Sequence, residues 1–88
     1  MDLDTAILSF SQWEQPWEFG DTVASRLSPT DKMRFNAILE FANKQENWKH
    51  HDLEECCIKA GTNLKSAFVD VKDESIVAIV RAVSYQWR

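Results

Sequence analysis

The sequence predicts an all-α fold: a compact single-domain bundle of about five to six short helices around a central helix at 29–44. Three observations carry that expectation. Apolar residues recur at i, i+3, i+4 and i+7 in one segment after another, the spacing that gathers them on one helix face. One segment carries a complete helix start signal. The last segment is rich in β-branched residues that suit strands, yet it keeps a 3.6-residue period more cleanly than any two-residue alternation.

The start signal lies at Ser28-Pro29-Thr30-Asp31. Ser28 suits the N-cap because its hydroxyl can accept from an early backbone N–H. Pro29 falls at the first helical position, where the missing N–H costs nothing. Asp31 completes an S-x-x-D variant of the capping box and sets a negative charge at the positive dipole end. Phe35, Ile38, Leu39 and Ala42 follow on one face, and Met33, Ala37 and Phe41 widen it, so this helix is expected to pack on two sides.

Upstream, Leu3, Ala6, Ile7 and Phe10 predict a short helix over 4–12, with Asp2 or Asp4 as its cap. Trp13-Glu14-Gln15-Pro16-Trp17-Glu18-Phe19-Gly20 is punctuated by Pro16 and Gly20 and reads as a loop carrying three aromatics. Asp21 then caps a short helix through Val23, Ala24 and Leu27. Downstream, 43–48 is polar and reads as a connection. Leu53, Cys56, Cys57 and Ala60 form the stripe of a fourth helix from His51 or Asp52, which Gly61 ends in the C′ role. Thr62 or Asn63 caps a fifth, with Leu64, Ala67, Phe68 and Val71. Asp73 caps the last, with Ile76, Ile79, Val80, Val83 and Trp87. A hairpin over 64–87 is the alternative.

At 88 residues the chain makes one domain, 1–88, with an expected radius of gyration of about 12 Å. Its formal net charge is −4, and every charged residue before Arg26 is acidic. Such a chain repels phosphate backbones on average, which disfavours nucleic acid as a partner. Ala6-Ile7-Leu8 is too short for a signal h-region or a membrane span, so a cytoplasmic location without membrane association is expected. The adjacent Cys56 and Cys57 suit a reducing compartment.

Sites of chemistry find little support. Two glycines cannot build a phosphate-cradling loop or a nucleophile elbow, and no local signature joins the serines and histidines, so neither an enzyme nor a cofactor is expected. His50, His51, Cys56 and Cys57 are zinc-type ligands, but adjacent cysteines on a helix point about 100° apart. Both cysteines already belong to an apolar stripe, where Cys acts as a small hydrophobe. No metal site is expected. Glu54 and Glu55 resemble a carboxylate pair and read more simply as a solvated helix face.

Two patches stand out as partner-binding candidates. Trp13, Trp17 and Phe19 alternate with Glu14 and Glu18, and exposed aromatics are common interface anchors, while acidic neighbours would draw in a basic surface. The plainer account is that these rings close over the end of the bundle. With Trp48 and Trp87 the rings are many for so small a core, so at least one is expected outside it. Ile58 lies off the Leu53/Cys57/Ala60 stripe, between Glu54 and Lys59 on the helix surface, and marks a second contact; Glu54 and Glu55 are counted with it among the partner-binding candidates. The functional expectation is therefore a small acidic interaction module. It would act as an inhibitor or adaptor that binds a protein with a basic surface, as anti-defence or immunity proteins do where carboxylates mimic phosphates. The alternatives are a helix-turn-helix-like DNA-binding regulator built on 52–71, and a helical subunit of an oligomer, the simplest being a homodimer.

Overall fold

The Ser28 hydroxyl accepts from the Asp31 amide at 3.3 Å, and the helix it starts runs from Pro29 to Ala42. In the computed structural model, which describes residues 1–49 and 52–87, this is the third of five α-helices. They are α1 (Leu3–Leu8), α2 (Phe19–Ala24), α3 (Pro29–Ala42), α4 (Leu53–Ala67) and α5 (Asp73–Ser84). Single 3₁₀ turns at Pro16–Glu18, Gln45–Trp48 and Tyr85–Trp87 bridge or extend them. Among the described residues there is no strand, so 73–84 is helix and not half of a hairpin. The Cα radius of gyration is 12.2 Å. Among the described residues no helix is long and apolar enough to cross a membrane.

The core draws on every helix: Leu3, Ala6 and Ile7 from α1, Phe19 and Val23 from α2, Phe35, Ile38 and Ala42 from α3, Cys56, Ala60 and Leu64 from α4, and Ile76, Ile79, Val80 and Val83 from α5. Helix α3 packs against α2, α4 and α5. The most deeply set helix is α5, which touches α1, α3 and α4 and buries seven of its twelve residues. Of the residues expected to widen the face of α3, Met33 and Ala37 are exposed, while Phe41 packs edge-on to Phe68 at 5.6 Å.

Two boundaries differ from expectation in ways that matter for the surface. Gly61 does not end a helix. It lies inside α4, without the positive φ that a C′ glycine adopts. The stripe Leu53-Cys56-Cys57-Ala60 simply continues to Leu64, and burying it whole outweighs the roughly 1 kcal/mol cost of a mid-helix glycine. Thr62 and Asn63 therefore cap nothing. The Thr62 hydroxyl donates back to the Ile58 carbonyl at 2.9 Å, and Asn63 donates to Asn47 at 2.7 Å. The helix-turn-helix outline over 52–71 is lost with the break, because 53–67 is one rod.

The other boundary is the start of α5. Asp73 is its first residue and not its cap, and Lys72 at the cap position makes no side-chain bond. The cap arrives from α1: Asp4 Oδ1 accepts from the Lys72 amide at 3.1 Å and from the buried Ser75 hydroxyl at 2.6 Å. Helix α1 itself is shorter than expected, ending at Leu8, with Asp2 accepting from the Thr5 amide at 2.7 Å. Helix α2 begins at Phe19, before Asp21. The polar connection after α3 is also structural. Asn47 is buried and donates to the Phe41 and Ala42 carbonyls, and Trp48 Nε1 donates to Ala42 at 2.8 Å, so the open end of α3 is closed.

Candidate docking surface

Helices α4 and α5 run antiparallel, joined by the short turn after Phe68. Lys65 near the end of α4 bridges Asp73 at the start of α5 at 2.8 Å and also donates to the Val71 carbonyl. Further along, Gly61 faces Ile76 and Val80. On the outer side of this pair an open groove is lined by Cys57, Ile58, Gly61, Thr62, Ile76, Val77 and Val80. It continues to Lys65, Ser66 and Asp73, where the ion pair closes it.

One large aliphatic side chain stands on each side of the groove, Ile58 on α4 and Val77 on α5. Ile58 is 62% exposed and Val77 is 67% exposed. On α4, Glu54, Ile58, Gly61 and Lys65 fall in one row at i, i+4, i+7 and i+11, with Glu55 on the outer flank of Ile58. On the far side of Val77 a second depression runs between α5 and α1, lined by Ile7, Leu8, Phe10, Trp13, Glu74, Ala78 and Arg81. Leu8 is exposed there too. Ile58, Val77 and Leu8 thus put large aliphatic side chains in water across three neighbouring helices.

The charges around the groove are unequal in their freedom. Lys65 is held by Asp73 and a carbonyl, and the Arg81 guanidinium lies 4.2 Å from the Trp13 ring centre. Glu54, Glu55 and Glu74 are exposed and in no ion pair among the described residues. The other ion pair lies elsewhere, between Arg34 and Asp70, where the guanidinium's hydrogen bond holds the Asp70 carboxyl below its ordinary value.

The aromatic stretch separates into two kinds of residue. Phe19 is only 2% exposed, and Trp13 is half-buried. Phe10 meets Trp13 edge-on at 4.9 Å, Trp13 stacks on Phe19 at 5.8 Å, and Phe19 leans on Phe35 at 5.8 Å. Phe19 is thus a core residue and not an anchor, as the first residue of α2. Trp17 is 71% exposed, with the exposed Glu14 and half-buried Glu18 in the same turn region. Trp87, also partly exposed, stacks on the buried Trp48 at 6.0 Å and donates to Asn43. Rings outside the core were expected, and Trp17 is the plainest of them.

Ile58, Glu54 and Glu55 are all exposed on α4, with Lys59 beside them. Val77 and Leu8 join them without having been singled out. The signal that flagged Ile58 would have found Val77 as well, since it lies off the Ile76/Ile79/Val80/Val83 stripe. The zinc-type cluster divides: Cys56 is buried and Cys57 half-buried in α4, while His50 and His51 lie outside the described residues. Comparison of the chain with protein-family models, with curated proteins and with solved structures gives no match.

Proposed function

We propose that this chain is a small acidic protein-interaction module without catalytic activity, acting as an inhibitor or adaptor, and that it meets its partner through the α4–α5 face. One observation carries the proposal: Ile58 and Val77 stand exposed on either side of an apolar groove that is open among the described residues. Contiguous exposed apolar surface, unlike scattered single residues, marks interaction sites. Glu54, Glu55 and Glu74 beside it, in no ion pair among the described residues, favour a partner of positive charge and would speed its approach. Trp17, with Glu14, offers a smaller secondary contact.

Affinity capture from the source lysate tests this, run side by side for the wild type, Ile58→Asp/Val77→Asp and Trp17→Ala. The expected result is a protein retained by the wild type and lost with the double variant, with Trp17→Ala weaker in effect. Both residues are mostly in water, so the double variant is expected to melt close to the wild type, surface changes of this kind falling within about 0.5 kcal/mol. Equal capture by a folded double variant would remove this face from the function.

A further inference from the structure

We propose that the occupant of the α4–α5 groove is an amphipathic helix of a protein partner, apolar where it lies over Ile58, Gly61 and Val77 and cationic along its flanks. This rests on the interaction reading above and names what the groove takes.

Gly61 supplies the first argument. A Cβ placed there would meet Ile76 and Val80 at 3.9 Å, ordinary van der Waals contact, so α4 and α5 do not need a glycine in order to pack. Its φ is not positive, so the backbone does not need one either. Glycine in mid-helix is nonetheless less stable than alanine. What glycine does at position 61 is leave the floor of the groove empty between Ile58 and Val77. The residue is unfavourable for the fold and favourable for a visitor that must approach closely, the usual trade between stability and a working site.

The shape supplies the second. From Glu54 to Lys65 the row spans twelve residues of α4, about 16 Å at 1.5 Å of rise per step, which matches roughly three turns of a second helix lying alongside. Two adjacent helices with Ile58 and Val77 standing out and a hollow between them can receive a third helix by the same ridge-and-groove fit that packs helices within a core. A small molecule fits less well. Sites for such ligands use a few placed polar groups to fix orientation. Here the one hydroxyl at the apolar end, that of Thr62, is already bonded to the Ile58 carbonyl.

The charges decide between a foreign helix and a second copy of this chain. The basic groups nearest the groove are engaged, Lys65 with Asp73 and Arg81 over Trp13, and Lys59 lies about 100° around α4 from Ile58. Among the described residues Glu54 and Glu55 on the α4 side and Glu74 beyond Val77 are in no ion pair, and neither is the exposed Lys59 farther around α4. Two copies, each at −4, would bring these carboxylates toward one another. A helix bearing Lys or Arg beside its apolar stripe would meet them with opposite charge.

The test uses two fluorescein-labelled helical peptides of about 16 residues, with the same Leu/Ala stripe and either Lys or Glu on the remaining positions. Anisotropy against the whole chain at low salt should give saturable binding of the Lys peptide, with the Glu peptide weaker by at least about tenfold. Gly61→Leu, which fills the floor, should abolish binding. Gly61→Ala, which keeps the fold and raises its melting temperature, should weaken it. Glu54→Gln/Glu74→Gln should narrow the gap between the two peptides. Equal affinity for both peptides, or Lys-peptide binding that Gly61→Leu leaves unchanged, would overturn the assignment. So would self-association in sedimentation that Gly61→Leu abolishes, because the occupant would then be a second copy. A captured protein that the Ile58→Asp/Val77→Asp pair loses but the Lys peptide cannot displace would sink the helix assignment while leaving the interaction reading standing.

Discussion

Gly61 is where stability and surface shape pull in opposite directions. Its backbone is ordinary helix and its neighbours leave room for a methyl group. Gly61→Ala is therefore expected to stabilise the fold by about 0.5–1 kcal/mol, which for a domain of this size raises the melting temperature by about 4 °C. Thermal unfolding followed by circular dichroism measures this, and an unchanged or lowered midpoint would mean that α4 and α5 do need the glycine. Ile58 and Val77 show the same tension from the apolar side. Neither contributes much to the core, and both keep aliphatic surface in water. Their exposure was readable from their place off the apolar stripes. The burial of Phe19 agrees with the plainer reading, in which the rings close over the end of the bundle; which of the three rings stays outside was not readable until α2 is known to begin at residue 19.

At the scale of elements, local signals were legible and long-range ones were not. The start of α3 lies within four residues, Ser28 to Asp31, and it forms as read. The start of α5 depends on Asp4, 68 residues away from Lys72, and no sequence window contains both. Asp4→Ala is expected to cost about 2–3 kcal/mol, since it removes a cap and leaves the buried Ser75 hydroxyl without its acceptor. Asp4→Asn keeps an acceptor oxygen and should restore most of the loss. Urea unfolding of the two variants checks this, and a loss no greater for Asp4→Ala than for Asp4→Asn would show that the α1–α5 link is incidental. The division of 53–67 into two helices is the reverse error. Glycine commonly stops a helix, but a continuous stripe from Leu53 to Leu64 binds both halves to the same core and carries the helix through.

For the whole molecule, the helical class followed from periodicity because each helix buries only one stripe, and five such stripes closed on one another make the core. The surface was less legible. A stripe says which residues go in, while the groove depends on how two helices lie side by side and on what stands at Gly61 between them. The candidate site is thus half visible in sequence, as Ile58 with Glu54 and Glu55. Val77 on α5 was readable by the same sign but was not singled out, and its place across a groove from Ile58 appears only when the antiparallel pair is assembled. Amide chemical-shift mapping of the isotope-labelled chain during titration with the Lys-flanked peptide tests the central claim most directly. Changes centred on Ile58, Gly61, Thr62, Val77 and Val80 are the expected result. Changes confined to the Trp17 turn or to the exposed side of α3, with the α4–α5 amides silent, would contradict it.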